Sequence, residues 1–169
     1  MRIGQGVDVH AFQDGGTLVL GGVTVPSDRS LEAHSDGDVV LHALCDALLG
    51  AAGLGDIGRH FPPHDAAWEN IDSRILLRKT CERVAAEHYQ VVNADITVVA
   101  QAPKLSNYID SMCNTISADL QVSVSQVNVK ATTTEYLGFT GRGEGCLLYT
   151  SPSPRDFSCN LVCRLLLGK

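Results

Sequence analysis

Strand-like and helix-like segments alternate along this chain without an internal repeat, and that alternation most restricts how it can fold. "RIGQGVDVHAF" and "TLVLGGVTVP" carry strand patterns, the second broken by Gly-Gly; "VVNADITVVAQ" reads as a buried strand and "VNVKATTT" as another. "SDGDVVLHALCDALLGAAG" starts on Ser and Asp, has a helix-forming interior and stops at Gly53. "IDSRILLRKTCERVAAEHY" is a second helix, with Leu77, Cys81, Val84 and His88 along one side and Asp72 or Ser73 as cap. "NYIDSMCNTISADLQ" is a third, weakened by its Ser, Thr and Asn. Elements in this order predict a sheet covered by helices.

Composition narrows the function classes. At 169 residues with 44% hydrophobic and 19% charged content, the chain reads as one ordinary globular domain. No apolar run approaches the ~20 residues of a membrane span, and the start lacks a signal-peptide pattern, so no membrane partner and a cytoplasmic location are expected. A net charge of −6 without a Lys/Arg-rich run argues against a nucleic-acid partner. An acidic enzyme acting on an anion then needs metal ions or backbone amides to hold it. Six cysteines without CxxC spacing are expected to stay reduced.

Three polar islands interrupt the apolar elements. Asp8 and His10 stand two apart on a strand, hence on one face. "EAHSDGD" places His34 and Ser35 before the helix that carries His42, and "KATTTE" puts Thr132, Thr133 and Glu135 at a strand end. Two imidazoles and a carboxylate are a common zinc set, leaving a fourth position open. The plain alternatives are an Asp8–His10 hydrogen bond at a strand end and a core histidine at 42. Asp46, one turn after His42, is expected to take that ring's outer N–H.

"DVHAF", "AHSDGDVVLHALCDALLGAAGLGDIGRHFP", "DSRILL", "AQAPKL" and "VNVKATTTEYLGFTGRGEG" resemble, in order and spacing, the 2-C-methyl-D-erythritol 2,4-cyclodiphosphate synthase family over residues 1–145. The resemblance implies an α+β fold, a mixed sheet covered on one face by three helices, assembled as a homotrimer with active sites between subunits. It implies a diphosphocytidyl small-molecule substrate, closed to a cyclic diphosphate with release of CMP. Zn2+ would be held by Asp8, His10 and His42, and a second ion, Mg2+ or Mn2+, by Glu135. His34 and Thr133 would be catalytic as transition-state stabilisers, with Ser35 supporting His34. Asp56, Ile57 and Gly58 would bind the methylerythritol hydroxyls, with Phe61 to Asp65 as a flap above them. Ala100, Pro103, Lys104 and Leu105 would form the cytosine pocket with Ala131 and Thr132, and Thr134 continues that substrate-binding run. Phe139, Arg142 and Glu144 match positions around a threefold cavity proposed for isoprenoid diphosphates, where an Arg142–Glu144 pair in a tight turn is the plain alternative. Cys45 reads as core packing and His64 as surface. A zinc phosphohydrolase is the other enzyme reading, and an inactive or isoprenoid-diphosphate-binding truncated homologue the non-enzyme one.

"CLLYTSPSPRDFSCNLVCRLLLGK", residues 146–169, differs in kind: it holds three of the six cysteines and two of the six prolines. "CLLYTSPSPRD" resembles a translated frame of a transposase-type sequencing adaptor. A domain over residues 1–145 that lacks its final strand, followed by an artefactual tail, is therefore expected. Pro152 and Pro154 forbid an interior ladder where they stand, so a weakened sheet edge and trimer should follow.

Overall fold

The computed structural model of the chain describes residues 2–151 and 165–168. Its strands are β1 (Arg2–Gly4), β2 (Gly6–Asp14), β3 (Leu18–Leu20), β4 (Val23–Val25), β5 (Arg29–Leu31), β6 (Gln90–Val99), β7 (Val127–Thr132), β8 (Gly145–Ser151) and β9 (Leu165–Gly168). Its helices are α1 (Val39–Ala52), α2 (Ile57–His60), α3 (Ser73–Ala86), α4 (Ile109–Leu120) and α5 (Gly138–Gly141). Among the described residues the main sheet has seven strands in the order β1–β9–β6–β8–β2–β5, with β7 also paired to β6, and of its strand pairs only β6–β7 is parallel. This is the mixed α+β arrangement expected. Among the described residues, no helix is long and apolar enough to cross a membrane.

The helix boundaries follow local chemistry. Asp38 caps α1: its Oδ1 accepts from Val40 N and Leu41 N, and Gly53 ends the helix at φ 78°. Its carboxylate also accepts from Gly21 N and Gly22 N, so one buried side chain ties the β3–β4 hairpin to the start of α1. Asp72 caps α3, as one of the two expected caps. His88 lies past the end of α3 at φ 62° and so does not share the expected apolar stripe.

Helices α1 and α4 pack on the sheet, and α3 lies against both of them. The contact of α1 with β1 and β2 is very close. A Cβ built on Gly4 would stand 1.8 Å from Ala47 O, and one built on Gly6 would stand 1.8 Å from Ala43 O. Only glycine lets strand and helix backbones approach this far. Even-numbered β2 residues therefore face α1, which leaves Val7 and Val9 on the other face, 54% and 46% exposed.

The sheet does not end at Gly145, which corrects the expected loss of a final strand. Residues 145–151 form β8, inserted between β2 and β6, with Cys146, Leu148 and Thr150 buried at alternate positions. That period-two burial is a strand signal present in "CLLYT" itself. Thr150 pairs with Gly6, and Leu165 with Gly4; Ser151 pairs with Asp95, and Leu166 with Asn93. Leu165 thus occupies the ladder position next after Ser151, so β9 continues β8 in step. The prolines at 152 and 154 and the cysteines at 159 and 163 lie outside the described residues.

Two outcomes test this architecture. Gly6→Ala should cost about 1–3 kcal/mol in chemical denaturation, the range for overpacking a tight contact, and should weaken metal binding by displacing α1. Deleting residues 152–164 to join Ser151 to Leu165 should preserve the far-ultraviolet circular dichroism and raise the melting temperature, because a loop-closure cost is removed; a lower melting temperature contradicts the in-step ladder.

Candidate functional site

Strand β2 and helix α1 bring Asp8, His10 and His42 together. Asp8 Oδ2 lies 3.1 Å from His10 Nε2 and 3.2 Å from His42 Nδ1, and the two ring centroids are 5.5 Å apart. One donor atom from each residue lies within 4.8 Å of the others, a set that could hold a metal ion. His10 Nδ1 is 2.6 Å from the Glu32 carbonyl oxygen. A carbonyl only accepts, so Nδ1 carries the proton and Nε2 turns toward the cluster. Burial pushes the Asp8 carboxyl up, but hydrogen bonds to His10 and His42 outweigh it and hold the group well below the usual carboxylate range. The same Asp8 hydrogen bond raises the His10 imidazole against the opposing effect of burial.

These residues line a cavity of about 240 Å³, walled also by His34, Ser35, Asp46, Ile57, Gly58 and Phe61. Trp68 stands edge-on to Phe61 at 5.1 Å, and the Arg83 guanidinium lies 4.8 Å from the Phe61 ring. A second cavity, about 340 Å³, is lined by Ala100, Pro103, Lys104, Leu105 and Ala131 to Thr133. The two cavities share no lining residue.

The sequence matches the YgbB family, described by that name, over residues 1–151.

The chain belongs to the YgbB family.

It is 61% identical over 145 residues to 2-C-methyl-D-erythritol 2,4-cyclodiphosphate synthase of Saccharophagus degradans, covering 86% of this chain and 94% of that one. Among solved structures it is similar to the bifunctional IspDF of Campylobacter jejuni, at 44% identity and TM-score 0.85, covering 88% of this chain and 40% of that longer one. It is also similar to Plasmodium falciparum IspF in a CDP complex, at 37% identity and TM-score 0.77, covering 88% and 92%.

The structure brings some of the expected residues together and sets others apart. Asp46 does not meet the His42 ring: its Oδ1 accepts from Ile57 N at 2.7 Å, which pins the start of α2. The outer nitrogen of His42, Nε2, instead lies 3.0 Å from Ser35 Oγ and 2.9 Å from Ser73 Oγ. Ser35 therefore sits against His42. Asp56 and Asp65 cap α2 and the 3-10 turn Ala66–Trp68, and neither lines either of these two cavities. Thr133 lines the second cavity while His34 lines the first. Thr133 Oγ1 donates to Glu135 Oε1 at 2.6 Å, and Glu135 is not part of the Asp8–His10–His42 cluster. Thr134 Oγ1 donates to Leu137 O, outside both cavities. Phe139 is also outside them, and Arg142 pairs with Glu144 at 2.6 and 3.1 Å, the plain alternative for that turn. Cys45 is fully buried, with its thiol pushed far up by desolvation, and His64 is exposed.

Sequence reasoning missed Trp68, Glu32 and Ser73. Trp68 sits in an irregular stretch without periodicity, and Glu32 acts through its carbonyl, which any residue supplies. Ser73 was legible only as a helix cap, at the start of "SRILL".

Protons and metal compete for His10 Nε2. Because the His10 imidazole is raised above its ordinary value, affinity for a divalent metal ion should fall by up to about tenfold per pH unit as pH drops below that raised value, and level off above it. Competition titration against a chromophoric chelator checks the slope. In Asp8→Asn, which removes the group that raises His10, the fall should begin at lower pH.

Proposed function

We propose that this chain converts 4-diphosphocytidyl-2-C-methyl-D-erythritol 2-phosphate to 2-C-methyl-D-erythritol 2,4-cyclodiphosphate and CMP. The observation that carries this reading is the Asp8–His10–His42 cluster at the wall of a cavity, in a chain 61% identical to a protein of that activity. Two imidazoles and a carboxylate suit Zn2+, and the hard carboxylate of Glu135 suits Mg2+ or Mn2+. Bound there, such ions supply charge neutralisation and Lewis acidity toward diphosphate oxygens.

The reaction is internal to one substrate. The 2-phosphate oxygen bonds to the β-phosphorus as that phosphorus parts from the oxygen that leaves with CMP. No protein nucleophile enters, which fits a buried, unreactive Cys45. The protein positions and neutralises. His34 and Thr133 donate to phosphate oxygens as charge shifts. Ile57 and Gly58, at the N-terminal end of a short helix capped by Asp56, face the sugar alcohol. Lys104 and the backbone around Ala100 and Ala131 bound the cytosine cavity, and the CDP complex of the Plasmodium relative supports that ligand chemistry.

A homotrimer with sites between subunits explains two features together. His34 and Thr133 line separate cavities, and β1 and β2 expose Ile3, Val7 and Val9 on the sheet face away from α1. Apolar side chains in such a row suit burial against another copy. A cytoplasmic location completes the reading. An adaptor-like origin is proposed for residues 146–169, of which Cys146–Ser151 belong to β8 and Leu165–Gly168 to β9.

Product analysis tests the activity. The trimer should release CMP and the cyclic diphosphate together; open-chain phosphates instead would indicate a phosphohydrolase. His42→Ala should lose stoichiometric metal and CMP release, whereas His34→Ala should keep metal and lose about 10²–10³-fold in kcat. CMP release unchanged in both variants contradicts the assignment.

A further inference from the structure

His42 reaches toward the cluster with one ring nitrogen and toward the start of α3 with the other, and the partners on that second side form a chain with a direction. Ser73, fully buried, is the first residue of α3. Its Oγ donates to Asp36 Oδ1 at 2.5 Å, and its backbone N–H donates to Asp36 Oδ2 at 3.0 Å. Asp36 Oδ1 also lies 3.2 Å from Asp38 N. An ionised carboxylate only accepts, so the single hydroxyl proton of Ser73 is committed to Asp36. The Ser73 oxygen, 2.9 Å from His42 Nε2, can then only accept.

We propose that Asp36 and Ser73 are positioning residues that hold His42 in the Nε2–H tautomer, so that its Nδ1 lone pair is presented to the metal. The inference rests on the reading of Asp8, His10 and His42 as metal ligands. Without a metal, a proton on Nδ1 can be shared with Asp8 Oδ2 at 3.2 Å. A bound metal would take the Nδ1 lone pair and leave the ring proton on Nε2, where Ser73 Oγ accepts it at 2.9 Å; the opposite tautomer would face these two atoms with no proton between them. Ser35 does not reverse this. Its oxygen accepts from Gly37 N at 3.2 Å and lies 3.0 Å from Nε2, so it can share the same donated proton. His10 is oriented in the complementary sense, by a carbonyl on its Nδ1. One ring thus offers Nε2 and the other Nδ1, and both meet the same Asp8 oxygen. Outer hydrogen-bond partners of this kind fix ring orientation and ligand basicity.

The wild-type protein is the first test and needs no variant. In zinc-loaded protein with ¹⁵N-labelled histidine, the resonance lost in His42→Gln should show a protonated Nε2 and a metal-bound Nδ1. A metal-bound Nε2 overturns the proposal. Chelator competition then compares variants: Ser73→Ala should weaken zinc binding about 10–100-fold, with the metal-free melting curve separating this loss from unfolding. Ser73→Thr, which restores an oxygen at the same site, should recover most of the affinity. Zinc affinity in a folded Ser73→Ala equal to wild type sinks the positioning role while leaving the metal site intact. Wild-type protein that takes up no stoichiometric zinc removes the underlying metal reading instead.

Discussion

The near-contact between glycines of the first strands and the backbone of α1 governs the geometry of the site. With Gly4 against Ala47 and Gly6 against Ala43, the helix sits so low on the sheet that His42 meets the side chain of Asp8, two residues along the strand. The same parity that buries the glycines turns Asp8 and His10 inward. A larger residue at either glycine would lift the helix and separate the imidazoles. Packing and chemistry are therefore set by one contact, and the apolar face of α1 (Leu41, Leu44 and Leu48, all fully buried) holds the helix down.

The loop between β5 and α1 is organised by carboxylates that accept backbone amides. Asp38 accepts from the β3–β4 turn and from the first turn of α1, while Asp36 accepts from the start of α3. Three elements are fastened to one short loop, which also carries His34 and Ser35. Such a loop loses little freedom when a ligand arrives, which is how a site is preorganised. It also bears on how an acidic chain can receive a polyanion: Asp36, Asp38 and Asp46 are turned onto amides, and Asp8 is shared between two imidazoles.

Much of this could be read before the structure. Asp8 and His10 share a face by strand parity alone, and the caps at Asp38 and Gly53 follow from residue chemistry. The meeting of His42 with Asp8 is a long-range event that spacing does not encode; it was legible only through resemblance. Asp46 misled because helical spacing says which residues share a face, but not which way a ring turns, and a nearby free amide at Ile57 competes for the carboxylate. The end of the sheet was misjudged because the prolines at 152 and 154 say nothing of the strand pattern before them or of the pairing found at Leu165.

Strand β8 is flanked by β2 on one side and β6 on the other, yet it follows both in the chain. During synthesis on the ribosome, β2 and β6 emerge first and each waits with an open edge. The two halves of the sheet are joined only when residues 145–151 arrive, so the step that completes the sheet comes late and spans almost the whole chain. Until then the emerging polypeptide has unsatisfied pairing edges, and its demand for chaperone protection should be set by how quickly that one segment threads into place.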